Sequence, residues 1–189
     1  MSMARLRRLQ ADWQKVQAEF TGHPYITVEP IGPANPPDRY RVTYRVKGLW
    51  RDAQGNIRVR DVHRAEIYLH TDYPREKPKC VMLDPVWHPN FGSYICIGDH
   101  WAAGETLVDV IYQIGEMLTY QEYNPKSPLN AEAARWSELN RNRFPLQNIP
   151  LRQPDIEITL HPVGESAQEN SSASTTDGEP DDELKIELN

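Results

Sequence analysis

Two cysteines in 189 residues are too few for a disulfide framework, so the small disulfide-stapled secreted scaffolds are excluded. Long apolar runs are missing as well. No stretch approaches the ~20 residues needed to cross a bilayer, which excludes a membrane partner of that kind. The opening "MSMARLRRLQADW" carries positive charge with no apolar segment behind it, so no secretory signal is expected. With the two thiols, this predicts a protein of the reducing cytoplasm. Positive charge is also short: 21 Lys and Arg stand against 27 Asp and Glu, for a net charge of −6. A nucleic-acid binder needs clustered Lys and Arg, so that class is set aside.

The net charge is unevenly placed. Residues 151–189 hold ten acids against two bases, net −8, while residues 1–150 carry +2. From Pro150 onward a Ser/Thr/Gly/Asn run meets an acidic cluster and large apolar residues thin out, a composition that does not build a core. The expected organisation is one domain over 1–150, near the usual domain length, and an acidic, disordered tail over 151–189. The simplest role for such a tail is solubility.

In "LRRLQADWQKVQAEF", Leu6, Leu9, Trp13, Val16 and Phe20 recur at spacings of three and four, the stripe of an amphipathic helix. Arg5, Arg7, Arg8 and Lys15 occupy its other face, and Gly22 followed by His23-Pro24 stops it. Short β-like runs follow at 25–31, 39–50, 56–71 (two strands or one bent strand) and 79–84. Tyr40, Val42, Tyr44 and Val46 alternate with polar residues, and Gly55-Asn56 marks a turn. These runs predict a four-stranded antiparallel meander with the helix on one face, an α+β fold. Pro85, Pro89, Gly92, Gly98 and Gly104 forbid a regular element over "PVWHPNFGSYICIGDHWAAG". "ETLVDVIYQIGEML" resumes a helical pattern through Leu107, Val110, Ile111, Ile114 and Leu118, and "LNAEAARWSELNRNRF" is a closing helix that Asn130 caps. The five tryptophans are scattered along the chain and read as packing anchors.

The chemistry-bearing residues crowd into "WHPNFGSYICI", residues 87–97. Cys96 between apolar neighbours suits an anchored backbone with a thiol facing a groove, but a metal ligand or an ordinary buried cysteine would also fit. Cys96 and His100 are spaced like half a zinc site with no second pair at ligand spacing, so no metal is expected. A Cys-His-Asn hydrolase would draw its partners from distant sequence. Cys80, in an alternating β segment, reads as core.

The order "TDYPREKPKCVMLDPVWHPN", "ICIG", Trp101, "ETLVDVIYQIGEML", "YNPKSPLNAEAA" resembles the catalytic core of the ubiquitin-conjugating enzyme family over roughly residues 4–140. The resemblance implies a UBC-like fold and a transferase without a cofactor of its own. Cys96 would accept a ubiquitin-like protein from an activating enzyme as a thioester, then pass it to an amine of a target protein. It implies that Asn90 stabilises the oxyanion, that His88 and Pro89 build the loop that aims Asn90, and that Arg5, Arg7 and Arg8 dock the activating enzyme. The chain departs from the family at several points. The Asn90–Cys96 loop is short, and Lys126 and Ser127 stand where many members place acids that activate the incoming lysine, leaving Asp99, His100 or Ser127 as candidates for that task. Arg75 replaces an aromatic residue, and Ala102-Ala103-Gly104 replaces a Ser-Pro-Ala pattern, which argues against a RING-type ligase. This divergence suits a dedicated, prokaryotic pathway. A non-catalytic adaptor on the same fold is the alternative.

Overall fold

A computed structural model describes residues 2–98 and 101–152. Asp99, His100 and the acidic tail from residue 153 lie outside the described residues.

Helix α1 (Met3–Phe20) opens at Ser2, whose hydroxyl accepts the Arg5 N–H at 3.2 Å. Its buried row is Arg5, Leu9, Asp12, Val16 and Phe20. The expected apolar stripe is therefore rotated, with Leu6 and Trp13 only half-buried at its flank. Two charged residues enter the packed face because each finds partners there. Arg5 Nη2 donates to the carbonyls of Leu69 (2.6 Å) and His70 (3.1 Å). Asp12 Oδ2 accepts from Tyr73 OH at 2.7 Å and from Arg8 Nε at 2.8 Å.

The strands are β1 (Ile26–Pro30), β2 (Arg39–Tyr44), β3 (Gly48–Arg51), β4 (Ile57–Arg60), β5 (His63–Tyr68) and β6 (Lys79–Met82). Four of them form the antiparallel sheet β1-β2-β5-β6, and β3-β4 form a separate hairpin at its end. The runs 39–50 and 56–71 thus each split in two. The register supplies the reason: Tyr44 pairs with His63 and Gly48 with Arg60, so three residues on one strand face two on the other. That one-residue bulge breaks the ladder. The freed N–H groups turn elsewhere, Arg45 to the Tyr25 carbonyl (2.7 Å) and Lys47 to Gln147 Oε1 (2.9 Å), while the Val46 side chain enters the core. Gly48 is needed at the break because a Cβ there would stand 2.5 Å from Nε2 of the fully buried His63 ring.

Helix α2 (Leu107–Leu118) carries a capping box between Thr106 and Asp109, and α3 (Ala131–Leu139) is capped by the Asn130 side chain, which accepts the Ala133 N–H. A 3₁₀ turn, Arg141–Arg143, follows. Helices α1 and α2 close the main core over Tyr40, Val42, Tyr44 and Ile67 of the sheet. A second cluster joins Leu49 of the hairpin, Trp87, Tyr120 and Ala133 of α3. Beyond residue 150, Leu151 is buried on Gly115, its carbonyl 2.8 Å from His23 Nε2, and Arg152 pairs with Asp109 at 3.0 Å.

Candidate active site

The loop between Pro85 and Gly98 is ordered from both ends. Ile95 donates its N–H to the Cys80 carbonyl of β6 at 2.8 Å, Phe91 and Ile95 form an isolated antiparallel bridge, and Cys96 donates its N–H to the Asn90 carbonyl at 2.9 Å. Ile95 and Ile97 are buried in the main core. Alternation along the chain turns Cys96 between them outward, where it is half-buried. Gly98 follows at φ +109°, a backbone state that glycine adopts freely, and Lys77 Nζ donates to its carbonyl at 2.5 Å. The other cysteine, Cys80, is buried, and desolvation pushes its thiol up to about 12.

Behind this strand-like segment stands His88. Its Nδ1 accepts the Asn90 N–H at 3.1 Å, which places the ring proton on Nε2. The ring packs between Phe91 and Tyr120, with centroids 4.5 and 4.6 Å away. Complete burial drives its pKa down to about 3, opposed only in part by the Glu122 backbone carbonyl, so the imidazole is neutral at physiological pH. His88 shapes the turn and does not line the groove. The Pro89 carbonyl accepts two N–H groups, from Leu129 (2.8 Å) and Asn130 (2.9 Å), tying the loop to the start of α3.

Asn90 is only 4% exposed. Its Oδ1 accepts the Asn124 N–H at 2.7 Å, and its Nδ2 donates to the carbonyls of Asn124 (3.0 Å) and Ser127 (3.3 Å). Both amide hydrogens are therefore engaged in holding the 124–127 turn. Donation to any further acceptor in the cleft requires one of them, and the longer Ser127 bond is the easier to exchange.

These segments enclose a cleft of about 290 Å³ with Cys96, Asn90, Asn124, Ser127, Glu122 and Met117 in its walls. It lies at the seam of the two core clusters, since Met117 belongs to the first and Tyr123, another wall residue, packs on the second. Of the residues singled out in the sequence, Cys96, Asn90 and Ser127 meet here, while His88 and Pro89 support them from behind. Asp99 and His100 lie outside the described residues. Glu122 and Asn124 were not anticipated. Both belong to the "EYNPKSPLN" stretch, and only folding brings its start, as well as its Ser127, to the cysteine.

The three arginines of α1 require a correction. They do not form one outward docking face. Arg5 is 9% exposed and bonded to Leu69 and His70, and Arg8 donates to Tyr73 OH (2.8 Å), to the Ala103 carbonyl (2.5 Å) and to the Glu105 carbonyl. Arg5 serves the buried carbonyls of Leu69 and His70, Arg8 serves the buried Asp12 carboxylate and the exposed carbonyls of Ala103 and Glu105, and Arg7 alone of the three is fully at the surface. Arg75 is exposed beside Asp72 at 2.9 Å, and Trp101 Nε1 donates to the Pro74 carbonyl at 2.8 Å. His70, Asp72 and Glu76 bring donor atoms within 4.8 Å of one another. His70 Nε2 nevertheless meets the Lys77 carbonyl at 3.0 Å and its Nδ1 accepts the Asp72 N–H at 3.3 Å, so the ring serves as a turn cap.

Comparison with known proteins gives a family model described as ubiquitin-conjugating enzyme that matches residues 47–148, more than half of the chain. Ubiquitin-conjugating enzyme E2 21 of Caenorhabditis elegans is 29% identical over 96 residues, covering 48% of this chain and 44% of that protein. Nedd8-conjugating enzyme UbcE2M of Drosophila melanogaster is 32% identical over 79 residues, 39% of this chain and 42% of that protein. Ubiquitin-conjugating enzyme E2 K of Homo sapiens is 32% identical over 88 residues, 43% of each. The chain thus matches less than half the length of these curated relatives.

Proposed function

The chain belongs to the ubiquitin-conjugating enzyme family, and from that premise we propose that it accepts a ubiquitin-like protein from an activating enzyme as a thioester on Cys96 and transfers it to an amine of a target protein. The observation that carries this reading is the setting of Cys96. It is the more exposed of two cysteines, held by backbone bonds at the wall of a cleft that also contains amide and carboxylate groups. Transfer between thioesters exchanges one C–S bond for another and is near balance, so the site has mainly to position the sulfur and limit water. Attack by an amine then develops an oxyanion, for which Asn90 Nδ2 becomes available by releasing the Ser127 carbonyl.

The surroundings suit a narrow set of partners: the modifier, its activating enzyme and an amine-bearing protein. Arg7 is the α1 arginine free to meet the activating enzyme, Arg5 and Arg8 being bonded internally. Arg75 and the Ala102–Gly104 turn, which Arg8 clamps through the carbonyl of Ala103, present a surface unlike the aromatic and proline contacts expected for a RING-type ligase.

The test is a charging assay with ATP, using ubiquitin with its activating enzyme and NEDD8 with its own, on reducing and non-reducing gels. A shifted band that thiol removes, and that Cys96→Ser either abolishes or converts to a thiol-resistant oxyester, is the expected result. Absence of charging with both active pairs would leave the adaptor as the better account.

A further inference from the structure

The backbone around Cys96 is held at two points. At the entry, Cys96 donates its N–H to the Asn90 carbonyl at 2.9 Å. At the exit, Gly98 lines the cleft at φ +109°, and its one hydrogen-bond partner among the described residues is the Lys77 ammonium, 2.5 Å from its carbonyl oxygen. Between them the Ile97 side chain is buried, but its backbone makes no hydrogen bond among the described residues. Lys77 is itself fixed. His70 Nδ1 accepts the Asp72 N–H at 3.3 Å, which leaves the ring proton on Nε2 to donate to the Lys77 carbonyl at 3.0 Å. Pro78 follows, and β6 begins at Lys79, paired with Tyr68. The half-buried Lys77 side chain lines a cleft of about 560 Å³ with Tyr94, Ile95 and Trp101, so it reaches Gly98 from the cleft next to that of Cys96. It forms no ion pair among the described residues, and the nearby Asp72 is taken by Arg75 at 2.9 Å. The ammonium is thus committed to a backbone carbonyl, a charge-assisted bond stronger than a neutral one. Ordering a four-carbon side chain costs conformational entropy, and what that ordering secures here is the backbone two residues past the thiol.

We propose that Lys77 is a positioning residue for Cys96, its bond to Gly98 fixing the direction in which the sulfur enters the cleft. This rests on the thioester reading of Cys96. The brace falls where the chain needs one, because glycine has the freest backbone of any residue and Gly98 stands in the left-handed region. The buried Ile97 side chain fixes a point in the core, but it leaves the peptide plane beyond it to be set by whatever holds the Gly98 carbonyl. Without Lys77, the nucleophile is tied on its Asn90 side alone. Thioester exchange requires the sulfur in line with the incoming carbonyl, and a reacting atom misplaced by about 1 Å costs on the order of 10²-fold in rate.

The test compares the full chain with Lys77→Met, which keeps the side-chain length and loses the donor, and Lys77→Arg, which restores a cationic donor. Hydrogen exchange at the Cys96 amide, read by NMR on the uncharged protein, is expected to accelerate in the Met variant and to return towards wild type in the Arg variant. In charging with ubiquitin or NEDD8 by the matching activating enzyme, Lys77→Met is expected to lower kcat by on the order of 10²-fold, with KM for the activating enzyme little changed and kcat recovered in Lys77→Arg. Alkylation of Cys96 by iodoacetamide needs an ionised thiol but no aligned partner, so its rate is expected to match wild type in both variants. Unchanged exchange and kcat in the Met variant, or an Arg variant as slow as the Met variant, overturns the assignment. A parallel fall in alkylation overturns it too, because Lys77 would then act on the ionisation of the thiol and not on its direction. Failure of the wild type to charge with either modifier strikes the thioester reading itself, and the assignment with it.

Discussion

At the scale of single residues, what a side chain does at this site follows from what already occupies its polar atoms. His88 and Asn90 are neighbours in one short motif, yet His88 has its Nδ1 bonded to the Asn90 N–H and its ring sealed between aromatics, whereas Asn90 borders the cleft. The Asn90 amide makes three bonds to the 124–127 turn, so its removal has two consequences that can be separated. Asn90→Ala is expected to slow transfer of a charged modifier to lysine by on the order of 10²-fold, with charging by the activating enzyme affected much less. The check is to measure both rates on the same preparation. Equal loss of the two would mean that Asn90 acts only by holding the turn. The residue types and their crowding were legible in the sequence. Glu122 was not, because a lone acid in a polar stretch has no signature until the fold brings it to the cleft that Cys96 lines.

At the scale of elements, periodicity identified the helices and most strands but misjudged where pairing stops. A run such as "RYRVTYRVKGLW" alternates almost without interruption, and nothing in that alternation reveals that its partner is one residue shorter across the gap. The break is instead enforced by the His63 ring, which occupies the space above Gly48. Gly48→Ala would set a methyl against a fully buried imidazole whose Nε2 donates to the Arg60 carbonyl at 3.0 Å. The expected outcome is a loss of about 1–3 kcal/mol, typical of overpacking, read as a lower urea midpoint with an unchanged slope. A midpoint equal to wild type would show that the ring moves aside without penalty. Helix α1 makes a related point. Its apolar stripe was legible, but the rotation that buries Arg5 and Asp12 depends on carbonyls of Leu69 and His70 and on Tyr73, all some sixty residues away.

At the scale of the whole molecule, two hydrophobic clusters meet at His88, which stacks on Phe91 of one and Tyr120 of the other. Burial holds this histidine at about 3, below the ordinary value of 6.5, so the unfolded chain binds the extra proton between those limits. Stability from this group is complete above about pH 6.5 and is lost as pH falls towards 3, by about 1.4 kcal/mol per pH unit within the window. Burial shifts His63 downward too, with the same sign. Urea unfolding measured from pH 7 to pH 4 should show this decline, and His88→Gln, which cannot titrate, should show a shallower one. Parallel pH profiles for the two proteins would remove His88 from the account. The α+β class, the helix and meander order and the grouping of Cys96 with Asn90 were determined by the sequence itself, because local periodicity, turn residues and short motifs act over a few residues. Only the tertiary structure decided that Arg5 and Arg8 of α1 turn inward, that Leu151 belongs to the core and that Glu122 shares a cleft with Cys96. Those outcomes depend on which buried polar atoms and which gaps distant segments present to one another, and a chain acquires those neighbours only when it packs.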